Sequence, residues 1–210
     1  GQNALLKSLE EPPENIIFVL MCEDSSRLLP TVCSRTNEYK LVSYTFDDIF
    51  SVISKINSAE HDNKYSKDDL TFATNFSAGI IGRAINLLGD SSFKETREEL
   101  INIVTNIDNI GYSEILSKRI SYFEDNSDNV EDMLLMILWI IGDLCILIKD
   151  RQSTQIKNQD FRDKLVAFLD RRRNINLNNL GRVSSSITLL ERRLNVNVNY
   201  TLAISDMLLT

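Results

Sequence analysis

The sequence predicts a mainly α-helical protein with a partial α/β piece at its start. Three observations carry that prediction. Ile16-Ile17-Phe18-Val19-Leu20-Met21 is an unbroken apolar run, short and rich in β-branched residues, as expected of a strand covered on both faces. From Tyr44 onward apolar residues recur at helical spacing through one segment after another. Met133 to Ile148 is a longer apolar stretch that falls short of the roughly 20 residues a membrane span needs, so it reads as a helix buried on most sides.

The elements follow in order. Leu5, Leu6 and Leu9 form the apolar stripe of a short helix that stops at Pro12-Pro13, where a missing N–H and a fixed φ forbid continuation. The apolar run is then a strand, and Glu38 to Val42 is a second candidate strand. Such strands require parallel neighbours, so the expectation is a chain that begins inside an α/β domain whose earlier strands are absent. Asp24-Ser25-Ser26 is an N-cap cluster for a turn carrying Arg27 to Leu29, and Pro30 opens a short helix from Thr31 to Arg35.

A second domain is expected over residues 44–90. Thr45 with Asp48 and Ser66 with Asp69 are capping pairs for helices through Phe46, Ile49, Phe50 and Ile53 and through Leu70, Phe72, Ala73 and Phe76. Asn57 to Asn63 reads as a polar loop, and it holds His61, the one histidine. A histidine in such a loop is a solvated residue rather than a member of a catalytic triad. Gly79-Ile80-Ile81-Gly82-Arg83-Ala84 opens a third helix to Leu88.

Residues 91–210 form a third, all-helical region. Ser91-Ser92 caps a helix to about Asn106, Gly111 begins another, Asp125 to Asn129 is a turn, and the apolar helix follows. Asp150 to Asn158 reads as a solvated linker, and Phe161, Leu165, Phe168, Leu169 and Val183, Ile187, Leu190, Leu194 as amphipathic stripes. Arg171-Arg172-Arg173 and Arg192-Arg193 read as solvated or ion-paired helix surface.

Composition excludes several classes. A net charge of −7 over 210 residues argues against a surface that wraps DNA unaided, because such binding rests on Lys and Arg neutralising phosphates. Cys22, Cys33 and Cys145 are widely spaced without a Cys-x-x-Cys pair, which points to a reduced, cytoplasmic protein without a zinc or other metal site.

Asn3-Ala4-Leu5-Leu6-Lys7, Leu9-Glu10-Glu11-Pro12-Pro13, the apolar run, Leu28-Leu29-Pro30-Thr31 and Ser34-Arg35 together resemble the second half of the AAA+ module of bacterial clamp-loader subunits. These are the gamma/tau and delta-prime subunits of DNA polymerase III. The resemblance spans roughly the first fifth of the chain. It implies that residues 1–43 end a RecA-like α/β domain, 44–90 are a three-helix lid and 91–210 a helical collar that joins subunits. It implies as partners the other loader subunits, of gamma/tau and delta type, together with the sliding clamp and primed DNA.

The resemblance also implies site residues. Ser34 and Arg35 match the Ser-Arg-Cys motif whose arginine reaches across an interface to a neighbour's ATP, with Thr36 in place of the cysteine. Beside that stands the local reading, in which Arg35 caps its helix or pairs with Glu38. Arg83, in Gly-Arg-Ala, matches the second sensor of a nucleotide on the same subunit, and a structural role or a pairing with an acid is the alternative. Cys22 falls where ATP-hydrolysing relatives carry a threonine or asparagine. That departure, with Arg192 to Leu209 resembling the close of the delta-prime collar, favours the delta-prime type, for which ATP lies at the interface with a neighbour. The alternative is a gamma/tau-type ATPase with its own nucleotide, whose phosphate-binding loop would precede Gly1.

Overall fold

The computed structural model describes residues 5–22, 24–60, 63–106, 112–194 and 200–208, with backbone alone at 60 and 112–116. His61 and Gly111 lie outside them, as does 195–199 within the collar-like ending. The chain divides into two compact units, Gly1–Ser43 and Tyr44–Thr210.

The first unit holds two short helices, α1 (Leu6–Glu10) and α2 (Pro30–Cys33). α1 ends where expected: the Glu11 N–H closes onto the Lys7 carbonyl, and Pro12 follows. Asp24 caps a 3₁₀ turn, Ser25–Arg27, by accepting the Ser26 N–H at 2.8 Å. Pro30 occupies the first position of α2, where its missing donor is harmless.

The two expected strands are not formed: no strand occurs among the described residues. Ile17 is 88% exposed, Met21 94% and Leu41 99%, so the apolar run and the Glu38–Val42 segment stand open to solvent. The reason is physical. A strand exists only as part of a ladder, and within this unit no described segment supplies the pairing N–H and C=O groups.

The second unit is helical: α3 (Phe46–Glu60), α4 (Lys67–Phe76), α5 (Ile81–Gly89), α6 (Ser91–Thr105), α7 (Tyr112–Asp125), α8 (Val130–Lys149), α9 (Arg162–Arg171), α10 (Leu177–Leu194) and α11 (Tyr200–Leu208). Both predicted capping pairs are present. Ser66 and Asp69 bond each other's backbone N–H groups at the start of α4, at 3.1 and 3.0 Å, and Thr45 and Asp48 do the same before α3. Ala78 and Gly79 take left-handed φ values of 52° and 86°, which turns the chain between α4 and α5. Asp90, rather than Ser91-Ser92, caps α6.

Two expected loops are more ordered than their polarity implies. α3 runs on to Glu60, and Asn57, 4% exposed, turns its amide inward to bond both backbone groups of Tyr65 at 3.0 and 3.1 Å. The Asp150–Asn158 segment is not simply solvated, because Ile156 and Asn158 are buried.

Packing explains the architecture. α3, α4 and α5 enclose a small core of Ile49, Ile53, Leu70 and Ala84. α8 is the central helix of the larger core, packed against α6, α9 and α10, with Met133, Leu134, Ile140, Leu144 and Leu147 almost wholly buried. Each such side chain contributes roughly 1.5–3 kcal/mol. α4 serves both cores: Leu70 faces the smaller one, while Phe72 and Phe76 join Phe93 of α6 and Trp139 of α8 in an aromatic cluster with centroids 5.1–5.9 Å apart. No helix among the described residues is long and apolar enough to cross a membrane.

Candidate functional site

Arg35 sits one residue past the C-cap of α2. The four-residue helix ends at Cys33, and Ser34 closes it by donating its N–H to the Pro30 carbonyl at 2.9 Å and its hydroxyl to the Thr31 carbonyl at 3.2 Å. These bonds carry Arg35 back over its own helix. Its Nη1 donates to the Thr31 carbonyl at 2.9 Å and to Ser34 Oγ at 3.3 Å, and its Nη2 to Glu10 Oε1 of α1 at 2.5 Å. The guanidinium therefore both caps α2 and pairs with an acid, but the acid is Glu10. Glu38 faces Lys40 instead, at 3.9 Å. The Arg35 and Glu10 side chains keep 35% and 48% of their surface in water.

Such a group is suited to an anion arriving from outside. A guanidinium is permanently charged and planar, and it binds phosphate or carboxylate through two parallel N–H bonds. Ser34 acts here as the acceptor that helps orient it. Thr36 turns its hydroxyl to the Val32 carbonyl at 3.1 Å, so the residue in the motif's cysteine position is engaged with its own helix.

Arg83 belongs to the second unit, in the first turn of α5, and there it is already engaged. Its Nη2 bonds Asp132 Oδ1 of α8 at 2.5 Å, and its guanidinium lies 5.2 Å from the centre of the Phe76 ring.

The same unit contains a buried polar network. Asp143 is 1% exposed on the otherwise apolar α8, and it accepts the Lys157 N–H at 2.7 Å, the Asn158 N–H at 2.9 Å and the Asn158 side-chain amide at 2.7 Å. Burial pushes its carboxyl above the ordinary range, and these N–H donors pull it partly back. Asn158 Oδ1 then accepts Arg97 Nε at 3.0 Å, and Arg97 forks onto Asp160 at 2.8 and 2.5 Å. Arg97 lies 3.8 Å over Phe72 and 4.9 Å over Phe161, while Lys157 lies 3.8 Å over Trp139. The 150–160 segment is thus clamped to α6 and α8.

Sequence reasoning did not single out Asp132, Arg97 or Asn158 as site residues, and Glu10 entered only as part of the segment that carries the resemblance. The signal that could have led to this network is Asp143, an acid inside the apolar Met133 to Ile148 run, where it must find donors. Among the described residues no cluster of His, Cys, Asp and Glu could hold a metal ion.

The comparisons bear most directly on the segment that carries Arg35. Residues 1–45 match the family described as DNA polymerase III, delta subunit. The chain is also similar to gamma and tau subunits of DNA polymerase III. It is 35% identical over 86 residues to the gamma subunit of Buchnera aphidicola subsp. Schizaphis graminum, covering 41% of this chain and 23% of that one. It is 24% identical over 196 residues to the gamma subunit of Buchnera aphidicola subsp. Baizongia pistaciae, covering 83% of this chain and 52% of that one. It is 39% identical over 59 residues to the tau subunit of Escherichia coli, covering 28% of this chain and 9% of that one. The chain therefore spans from under a tenth to about half the length of these relatives. Over these stretches the chain is similar to delta, gamma and tau subunits of DNA polymerase III, and the similarities do not separate one kind from another.

Proposed function

We propose that this chain is part of a cytoplasmic clamp-loader subunit of DNA polymerase III, in which Arg35 is an arginine finger acting on ATP held by a neighbouring subunit. The observation that supports this reading is the position of Arg35. It is a partly exposed guanidinium just past the end of α2, next to Ser34, within the residues that match the delta-subunit family. The reaction assigned to the interface is phosphoryl transfer to water, where a cation in trans stabilises charge spreading over the γ-phosphate oxygens. Residues 91–210 are the collar that joins this subunit to the others, and the assembled complex carries the sliding clamp to primed DNA.

Two kinds of subunit fit this description. Cys22, a weak donor where hydrolysing relatives place a threonine or asparagine, favours the delta-prime kind, which completes a neighbour's site without hydrolysing ATP itself. The gamma and tau names of the relatives favour the second kind, an ATPase that also binds its own nucleotide. Equilibrium binding of a fluorescent ATP analogue to the full-length subunit alone separates them. Saturable binding supports the gamma/tau kind, and its absence the delta-prime kind.

The finger is tested by DNA-stimulated ATP hydrolysis in the complex reconstituted from full-length subunits. Arg35→Ala is compared with the parent after both are shown to assemble equally. A trans finger is worth about 10³–10⁵ in rate, so the expected result is a near-complete loss in an intact complex. An unchanged rate overturns the finger and leaves a scaffolding subunit.

A further inference from the structure

We infer that Glu10 is the resting partner of Arg35, an acid that holds the guanidinium within the subunit until a neighbour's phosphate displaces it. The inference rests on the reading of Arg35 as a trans finger and assigns a regulatory contact to the same site. Its basis is the way the donors of Arg35 are used. Nη1 is taken by the Thr31 carbonyl and Ser34 Oγ, both neutral and both on the chain that carries the arginine. Nη2 is taken by Glu10, the one charged acceptor of the three, reaching over from α1 at 2.5 Å.

The local acceptors orient the side chain, and the carboxylate occupies a terminal nitrogen that bidentate recognition of a phosphate requires. Carboxylate and phosphate are then alternative anions for one cation. The exchange is easy in this setting. Glu10 keeps 48% of its side-chain surface in water, so its carboxylate is already largely hydrated when it lets go. A pair this exposed adds little to stability, which makes it a weak and reversible hold.

Without that competitor the finger reaches the neighbour's ATP more readily. In the reconstituted complex, Glu10→Gln keeps the side chain's length and an acceptor oxygen but removes the charge. The expected result is a lower KM for ATP, with kcat/KM raised by up to about five-fold at low salt, the ceiling that an exposed ion pair allows. The gain shrinks in high salt, where the parent's pair is itself screened. Glu10→Asp returns the parent behaviour, and Glu10→Gln adds nothing in an Arg35→Ala background.

The controls separate the two readings. If Arg35→Ala abolishes hydrolysis while Glu10→Gln leaves KM unchanged or raises it, the resting-partner role is overturned and the finger stands. If Arg35→Ala leaves hydrolysis intact, the finger falls and the role of Glu10 falls with it. Far-ultraviolet circular dichroism and assembly measured for every variant keep a folding defect from being read as either result.

Discussion

Arg97 gives the sharpest stability prediction, because burial and charge pull in opposite directions there. Its side chain is 4% exposed, and that of its partner Asp160 is 26% exposed. Replacing Arg97 with methionine keeps most of the stem packed between Phe72 and Phe161 but deletes the forked ion pair, the bond to Asn158 and the cation over the Phe72 ring. Removing one partner of a buried pair costs about 3–5 kcal/mol because the other charge is left uncompensated. Asp160 can recover some water, which argues for the lower part of that range. Asn158, at 1% exposed, has no such recourse, and its orphaned buried acceptor brings the estimate back to the full range. The expected loss for Arg97→Met is therefore about 3–5 kcal/mol, read as a fall in Tm of roughly 6–20 °C for a unit of this size. Thermal unfolding followed at 222 nm, with urea midpoints as a second measure, checks it. The control is Lys94→Met, which breaks the 3.3 Å pair with Asp69 but removes a cation that is 60% exposed. It should cost no more than about 1 kcal/mol. If Arg97→Met costs as little as Lys94→Met, the clamp is an ordinary surface pair and the reasoning fails.

Two further outcomes follow from the capping and loop contacts. Burial alone would raise the Asp69 carboxyl, but the Ser66 hydroxyl and N–H, with Lys94, outweigh it and hold the carboxyl below its ordinary value of 3.8. A lowered folded-state value means that the contribution is complete above 3.8 and is lost as pH falls through the folded value beneath it. Asp69→Asn should therefore cost about 1 kcal/mol near neutrality, with the gap to the parent closing in acid-titration curves below that point. Asn57→Ala removes both side-chain bonds to the Tyr65 backbone. It should cost about 1–3 kcal/mol and speed amide hydrogen exchange at Tyr65 selectively, whereas a uniform change would mean that the turn is held by something else.

What the sequence revealed follows the range of each interaction. The Ser66–Asp69 and Thr45–Asp48 pairs were legible because both partners lie within one turn of helix. The break at Pro12 was legible because proline acts on its own backbone. Asn57 was misread because its partner lies eight residues away, so its polarity looked like loop polarity rather than a buried amide serving Tyr65. Glu10 and Arg35 are 25 residues apart, and Arg97 and Asp160 63 apart, distances at which no spacing rule operates. The apolar run of residues 16–21 shows the converse: its composition states what the segment needs, while a strand depends on groups that the segment itself does not contain. Of the candidate site, Arg35 and Ser34 could be named only through the resemblance, and the acid that holds Arg35 was not picked out as its partner.

Arg35 and Arg83 make similar ion pairs, each at 2.5 Å with an acid that is 39–48% exposed, yet release would cost them differently. Arg83 ties α5 to α8 and covers the ring of Phe76, which is 1% exposed within the aromatic cluster. Withdrawing it opens that ring to water and removes a bond that spans 49 residues of chain. Among the described residues Arg35 covers no buried ring, and its two bonds to Thr31 and Ser34 are local to the turn that carries it. Giving up Glu10 costs it one exposed pair, worth at most about 1 kcal/mol. The finger proposed above would exchange an internal partner for a phosphate in each catalytic cycle, which calls for the cheaper release. On that ground Arg35 is better suited than Arg83 to reach a nucleotide, and Arg83 to hold residues 44–90 against the helices that follow.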